Sequence, residues 1–260
     1  MEVVITEGAE EIGEVVADAV ARVLVGRPDP TLGLATGSSP LPVYRALIDR
    51  YRRGQVSFGA ATAFLLDEYV GLPPDHPQSY RRFIQSEFTD HVDLPPDRLH
   101  GPDVDRPDLP EACRDYEHRI RSAGGIDLQL LGIGSDGHIG FNEPTSSLAS
   151  RTRLKTLAPS TRADNARFFG PGDEVPLHVI TQGLGAILEA GHLVLFAMGA
   201  RKAMAVAAAV EGPVAAMCPA SVLQLHQHAT VVLDAGAAGE LRLVDYYRDV
   251  YRHKPAWQTI

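Results

Sequence analysis

Three ionisable side chains lie close together in a glycine-rich stretch of the chain. Asp136, His138 and Glu143 fall within eight residues of one another and follow the apolar run from Leu128 to Leu131. Glycine lets a backbone turn tightly and approach a ligand closely, and a histidine beside carboxylates can exchange protons near neutral pH. The stretch is therefore predicted to be the catalytic loop of an enzyme.

Two familiar motifs are excluded by the surroundings of this loop. Residues 132–137 satisfy G-x-G-x-x-G, but Pro144 interrupts any helix and residues 151–160 hold no acidic residue to bind a ribose. A nucleophile elbow fails at Ser135, because the residue two positions earlier is Ile133 and not glycine. The loop therefore predicts neither a dinucleotide site nor a serine hydrolase.

A metal site built from Asp136, His138 and Glu143 is chemically feasible but disfavoured. The spacing differs from the helical H-E-x-x-H pair, and no cysteine assists. Each of the three residues taken alone is equally well explained as part of a solvated turn. As a group they favour proton-transfer chemistry without a metal.

The composition is that of an ordinary globular protein. The chain has 260 residues, of which 45% are hydrophobic and 22% charged, and a formal net charge of −9. This charge disfavours a nucleic-acid or anionic-membrane partner, because both are held mainly through Lys and Arg. Neither a transmembrane run nor a signal peptide is visible, so we expect a cytoplasmic protein with a single domain over residues 1–260.

A phosphate-binding loop is predicted near the N-terminus. Thr31 to Ala35 has the pattern of a strand and Pro40 to Tyr51 that of a helix, and Thr36, Gly37, Ser38 and Ser39 join them. Free N–H groups at a helix start, together with small hydroxyl side chains, can surround an anion. A plain turn capped by a serine is the alternative.

An acidic residue follows the next predicted strand, Thr62 to Leu66. Asp67 comes directly after it, and ligands of open parallel sheets bind outside the carboxyl ends of the strands. Asp67, the Thr36 loop and the Asp136 loop should therefore converge on one crevice. We expect Asp67 to be catalytic and its neighbour Glu68 to be solvated.

The remaining pattern alternates strands with helices. It predicts an α/β fold with a single open, mainly parallel, doubly wound sheet and helices on both faces. The predicted strands are Val3 to Thr6, Val175 to Thr181, His192 to Ala197 and Ala229 to Leu233, and the predicted helices are Glu10 to Leu24, Pro110 to Ala123, Gly183 to Ala190 and Pro219 to His226.

Two further groups of basic residues are candidates for anion binding. Lys202 stands at a strand-to-helix junction, and Arg167 lies in the polar segment 164–174, a candidate lid. Arg153 and Lys155 lie among hydroxyl residues, which fits either a second anion site or a solvated surface.

Several motifs along the chain resemble those of the glucosamine-6-phosphate deaminases, also called glucosamine-6-phosphate isomerases. They are Leu34-Ala-Thr-Gly-Ser-Ser-Pro-Leu, Leu66-Asp-Glu-Tyr-Val-Gly-Leu-Pro, His76-Pro-Gln-Ser-Tyr, Asp136-Gly-His-Ile-Gly-Phe-Asn-Glu-Pro, Ser147-Leu-Ala-Ser-Arg-Thr-Arg-Leu-Lys-Thr and Val210-Glu-Gly-Pro. The resemblance covers nearly the whole chain. The related 6-phosphogluconolactonases share the fold and a D-G-H loop, but continue differently after it.

The resemblance implies a reaction and a role for each residue of the catalytic loop. Glucosamine 6-phosphate and water would give fructose 6-phosphate and ammonia, without metal or organic cofactor. His138 would assist ring opening, with Asp136 and Glu143 orienting its imidazole, and Asp67 would move a proton between C2 and C1. The phosphate would bind residues 36–39, Arg167 and Lys202.

The resemblance also implies regulation by a second sugar phosphate. In oligomeric members of the family, residues matching Ser146, Arg153, Lys155 and Thr156 bind N-acetylglucosamine 6-phosphate, so a homo-oligomer with this activator is a candidate assembly. Three alternatives stay open at this point: a galactosamine-6-phosphate isomerase, a 6-phosphogluconolactonase, and a sugar-phosphate sensor without catalytic activity.

Overall fold

Two β-sheets organise the protein, and its computed structural model describes residues 1–73, 75–170, 172–255 and 257–260. The strands are β1 Glu2–Thr6, β2 Thr31–Leu34, β3 Thr62–Leu65, β4 Asp67–Tyr69, β5 Leu99–His100, β6 Leu128–Leu131, β7 Arg153–Thr156, β8 His178–Thr181, β9 His192–Ala197 and β10 Ala229–Asp234.

The α-helices connect these strands. They are α1 Ala9–Gly26, α2 Leu41–Arg52, α3 Tyr80–Glu87, α4 Leu109–Ser122, α5 Pro159–Asn165, α6 Leu184–Ile187, α7 Ala203–Val210 and α8 Val244–Arg252. Shorter 3-10 turns span Thr89–His91, Pro96–Arg98, Ala166–Phe168, Ala200–Lys202 and Pro219–Leu225. The last of these lies where a short helix was expected, from Pro219 to His226, and it is a 3-10 helix rather than an α-helix. None of the helices in the described ranges has the length and apolar content needed to cross a bilayer.

The larger sheet is parallel throughout and has seven strands in the order β1-β10-β9-β6-β2-β3-β5. Every residue of β2, β6 and β9 is buried, as is usual for strands covered on both faces. The chain runs from β2 outward to β5 and then returns to β6 on the opposite side of β2. Because crossovers are right-handed, this reversal places helices on both faces, which confirms the predicted α/β fold.

The smaller sheet was not predicted. It has three antiparallel strands in the order β4-β8-β7. Its strands are only three or four residues long, too short for the sequence to show a clear alternation. Leu66 is the single residue between β3 and β4, so the chain passes from one sheet into the other immediately before Asp67.

Candidate active site

A cavity of about 700 Å³ opens at the carboxyl ends of the parallel strands. The segments that follow β2, β3, β6 and β9 line it, and it lies beside the reversal of strand order between β2 and β6. Open α/β sheets bind their ligands at such a position. The lining contains Thr36, Gly37, Ser38, Ser39, Asp67, His138, Arg167 and Lys202, all of which were predicted site residues.

One wall of the cavity is positively charged. Arg167, Arg201 and Lys202 line it, and none of the three forms a salt bridge within the described residues, although Asp136 and Asp164 lie near enough to act on the charge of Lys202. Burial and the positive charge of Arg167 lower the pKa of Lys202, and Arg201 acts in the same direction. A bound dianion would relieve this repulsion. Arg201, which is adjacent to Lys202, was not among the predicted site residues.

Asp67 lies at the corner between the two sheets. Its side chain lines the cavity, yet only 4% of the residue is exposed. Burial raises the pKa of Asp67 well above its ordinary value, the negative charge of Glu68 adds to this, and a hydrogen bond from Thr181 acts in the opposite direction. A buried carboxylate with a raised pKa is a stronger base than one in water, which suits proton abstraction from carbon.

The prediction that the side chain of Glu68 is solvated is wrong. Glu68 is buried, and its carboxylate accepts backbone N–H groups from Tyr69, Tyr80 and Arg81, each at 2.9 Å. Two of these N–H groups belong to the first turn of α3, and that turn has no acidic residue of its own. Glu68 therefore anchors the start of that helix beside the cavity.

The side chains of His138 and Asp136 contact each other in the predicted catalytic loop. Nδ1 of His138 lies 2.6 Å from Oδ1 of Asp136 and has no further partner in the described part of the chain. This contact is the main influence that lowers the pKa of Asp136 to about 2. The ring also lies against Gly134, where an added Cβ would stand 2.2 Å from Cε1 of His138. Asp136 itself is not part of the cavity lining.

The carboxylate of Glu143 contacts the start of α5. It accepts the backbone N–H of Ala158 at 3.1 Å and the hydroxyl proton of Thr161. Among the residues that the structure describes, Asp136 is the carboxylate that pairs with His138, and the role of Glu143 in orienting the imidazole stays a prediction. A turn closed by the hydrogen bond from the Asn142 N–H to the carbonyl of Ile139, at 3.1 Å, precedes Glu143.

The segment expected to be a lid contributes residues above the cavity. Asn165 donates a hydrogen bond to the hydroxyl of Tyr69 at 2.9 Å, and the ring of Phe169 meets that of Tyr69 with centroids 5.8 Å apart. Pro171, inside the predicted lid, lies outside the described residues. Sequence reasoning missed several lining residues, whose types do not by themselves indicate catalysis: Tyr69, Gln78, Tyr80, Phe141, Thr161, Asn165 and Phe169.

The second basic cluster lies away from the cavity. Arg153, Lys155 and Thr156 belong to β7, an outer strand of the small sheet, and neither they nor Ser146 line the cavity. Burial lowers the pKa of Arg153, whose Nη1 donates to Oδ1 of Asn142 at 2.9 Å. The hydroxyl of Ser146 is buried and has no hydrogen-bond partner within the described ranges.

This arrangement defines a doubly wound α/β protein with a crevice at the switch point that cationic side chains and a buried carboxylate line. The family described as glucosamine-6-phosphate isomerases/6-phosphogluconolactonase matches residues 4–232. The chain belongs to this family.

Within this family, the chain has high sequence identity to individual glucosamine-6-phosphate deaminases. The chain is 60% identical to the glucosamine-6-phosphate deaminase of Arthrobacter sp. (strain FB24) and 59% identical to that of Mycolicibacterium smegmatis, over the full length of each. Among solved structures it resembles a monomeric glucosamine-6-phosphate deaminase, with a TM-score of 0.90 and 41% identity over 92% of this chain and 100% of the other. A 6-phosphogluconolactonase from Thermotoga maritima, at 21% identity, covers 90% of this chain and 98% of its own with a TM-score of 0.71, and shares the fold.

Proposed function

We propose that the protein converts glucosamine 6-phosphate and water to fructose 6-phosphate and ammonia. The observation that carries this conclusion is the meeting of Asp67, His138 and the cationic wall in one cavity. The 60% identity to a glucosamine-6-phosphate deaminase, against 21% to a 6-phosphogluconolactonase, favours deamination over lactone hydrolysis. Loops from residue 35 to residue 202 line the cavity, which supports a single domain over residues 1–260.

Substrate binding follows from the charge of the cavity. The phosphate would contact the N–H and hydroxyl groups of residues 36–39 and the side chains of Arg167 and Lys202. The amino sugar would then extend towards Asp67 and His138, which lie on the loops after β3 and β6. Charge-assisted contacts of this kind fix the reacting carbons relative to the base.

The first chemical step is ring opening. His138 would take the proton of the C1 hydroxyl and return a proton to the ring oxygen as the C1–O5 bond breaks. The close carboxylate of Asp136 stabilises the positively charged imidazole that this exchange requires. The product is the open-chain aldehyde, with its phosphate still held at the cationic wall.

The second step moves a proton between neighbouring carbons. The Asp67 carboxylate would take the proton from C2, giving an enolamine, and deliver it to C1. This leaves an imine at C2, which water converts to the ketone with release of ammonia. Because the same carboxylate gives back the proton it takes, Asp67 ends the cycle ionised.

The direct test measures both products. Purified protein is incubated with glucosamine 6-phosphate in the presence of a chelator and without nucleotide, and ammonia and fructose 6-phosphate are quantified. Equal amounts of both are expected. Faster reaction of galactosamine 6-phosphate would assign the other C4 epimer, turnover of 6-phosphogluconolactone alone would assign a lactonase, and binding without turnover would assign a sensor.

We further propose that Ser146, Arg153, Lys155 and Thr156 form a site for N-acetylglucosamine 6-phosphate. The unpartnered hydroxyl of Ser146 and the half-buried guanidinium of Arg153 support it, since both lack a full set of partners in the described residues. Titration of this compound at subsaturating substrate should raise the velocity. An unchanged velocity would remove the activator, and Lys155→Gln should weaken activation while leaving the unactivated rate intact.

The number of subunits is determined in a separate measurement. Light scattering with and without N-acetylglucosamine 6-phosphate distinguishes a homo-oligomer, in which the second site could form between subunits, from a monomer. The structural relative at 41% identity is a monomeric enzyme, so activation without oligomerisation would place the whole site within one chain.

A further inference from the structure

A buried threonine lies between Asp67 and the catalytic loop. Thr181 is the last residue of β8 and is 0% exposed. Because β8 is the central strand of the small sheet, Thr181 stands opposite Asp67 on one side and opposite Arg153 on the other. Neither its position in the sequence nor any catalytic motif singles it out.

The hydroxyl of Thr181 is held by the catalytic loop. Its oxygen accepts the backbone N–H of Phe141 at 3.2 Å, three residues after His138. With that lone pair occupied, the hydroxyl proton turns towards an acceptor on the other side. The carbonyl of Gln182 is one, at 3.3 Å, which is long for an O–H donor.

The carboxylate of Asp67 is the other acceptor. A Cβ added at Gly140 would lie 3.1 Å from Oγ1 of Thr181 and 3.3 Å from Oδ2 of Asp67, so both oxygens face the same small space beside the loop. Gly140 has a φ of 56°, and its lack of a side chain keeps this space open. An ionised carboxylate draws a hydroxyl proton more strongly than a neutral carbonyl does.

We propose that Thr181 is a positioning residue for the proton transfer. Its hydroxyl, fixed by the Phe141 N–H, donates to Oδ2 of Asp67 and leaves the other carboxylate oxygen to face the substrate. The inference rests on the proposed function, because it assumes that Asp67 carries the proton between C2 and C1. The same hydroxyl also ties the base on β4 to the loop that carries His138.

Removal of the Thr181 hydroxyl should raise the pKa of Asp67. Donation to the carboxylate favours its ionised form, in line with the direction in which Thr181 acts on Asp67. Thr181→Val keeps the shape but removes the donor, so the acidic limb of the kcat/KM profile should move to higher pH, by about one unit. At neutral pH, kcat should fall about tenfold or more, while KM for glucosamine 6-phosphate changes little.

Two variants separate positioning from stability. Thr181→Ser restores the hydroxyl and should return both the limb and kcat to near the original values. Thr230→Val is the matched control, because Thr230 is also fully buried and bonds His192 at 2.9 Å, on a strand that does not reach the cavity. It should lower thermal stability without moving the limb. If Thr181→Val does not fold, Thr181→Cys replaces it, since a thiol is a weak donor.

The outcomes distinguish this inference from the function on which it rests. An unmoved acidic limb and a normal kcat in Thr181→Val, with an inactive Asp67→Asn, would overturn the role of Thr181 and leave the deaminase intact. Equal losses in Thr181→Val and Thr181→Ser would also overturn it, because the hydroxyl would then be irrelevant. Absence of product formation by the unmodified protein would instead defeat the proposed function.

Discussion

Asp67 combines a buried position with access to the cavity. The side chain is surrounded by protein on the side of the small sheet, and burial is the largest cause of its raised pKa. Burial favours the protonated form of Asp67, whereas the proposed mechanism requires the ionised carboxylate at its start. The balance is set by few neighbours, chiefly Glu68 and Thr181, so small changes around Asp67 should have measurable effects.

Asp67→Asn should reduce kcat by about a hundredfold or more, since the amide has the shape of the carboxylate but cannot take a proton from C2. Far-ultraviolet circular dichroism should show an unchanged fold. In the unmodified protein the acidic limb of kcat/KM should lie above the ordinary range of an aspartate, because the base must lose its proton against a raised pKa. Near-normal turnover of Asp67→Asn would remove this residue from the mechanism.

Arg201→Gln should raise KM for glucosamine 6-phosphate about fivefold and leave kcat nearly unchanged. Arg201 lines the cavity beside Lys202 but far from the reacting carbons in the scheme, and an exposed charge-assisted contact contributes about 1 kcal/mol. Arg248→Gln makes the same change of charge on the exposed surface of α8 and should leave both constants unaltered. A fall in kcat with constant KM would place Arg201 in the chemical step.

At the scale of elements, the catalytic loop depends on the absence of side chains. Gly134 follows β6 directly after Gly132 and Ile133, and the imidazole of His138 packs over it. Backbone N–H of Gly134 also donates to the carbonyl of His138 at 2.9 Å, which closes the loop. The loop therefore fixes the ring through its backbone as well as through Asp136.

Gly134→Ala should displace the His138 ring and lower kcat, because its Cβ would stand only 2.2 Å from the imidazole. The φ of Gly134 is accessible to alanine, so the thermal midpoint should change much less than the activity. Gly26→Ala, at the end of α1 where nothing lies within 4 Å, should leave both unchanged. Normal turnover of Gly134→Ala would mean that displacement of the His138 imidazole does not lower kcat.

The sequence predicted the elements of the parallel sheet better than the small sheet. Buried parallel strands are continuous apolar runs, and His192 to Ala197 agrees in both bounds with β9. β4 and β7 are short and mixed in polarity, and they form a sheet only because β8 pairs with both. Such pairing between distant segments leaves no local pattern, so Thr181 could not be associated with Asp67 from the sequence.

At the scale of the whole molecule, topology made the site predictable. The carboxyl ends of parallel strands lie on the same side of a sheet. The sequence alone therefore places Thr36, Asp67 and the loop after β6 in one crevice. Glu68 and Glu143 could not be predicted in this way, since their partners come from α3 and from the start of α5. The direction of a side chain at a loop depends on such neighbours rather than on strand order.

A cluster of histidines lies at the amino ends of the parallel strands, opposite the strand ends that line the cavity. His192 begins β9 and is 5% exposed, and its ring stacks on that of His228 with centroids 3.6 Å apart. Burial, followed by the charges that His228, His226 and Lys254 would contribute, lowers the pKa of His192 to about 3. Burial is also the main cause that lowers the pKa of His228, with His226 next, while Glu2 acts in the opposite direction.

This cluster should make stability depend on pH independently of catalysis. An unfolded histidine has a pKa of about 6.5, so between about pH 6.5 and 3 the unfolded chain binds more protons than the folded protein. The free energy of unfolding should therefore fall as the pH falls, by up to about 1.4 kcal/mol per pH unit for each such group. Urea titrations at pH 7 and pH 5 measure this, and His192→Phe, which cannot titrate, should show a smaller difference. His118→Phe removes an exposed imidazole and should keep the full difference; an equal pH dependence in His192→Phe would assign the acid sensitivity to other groups.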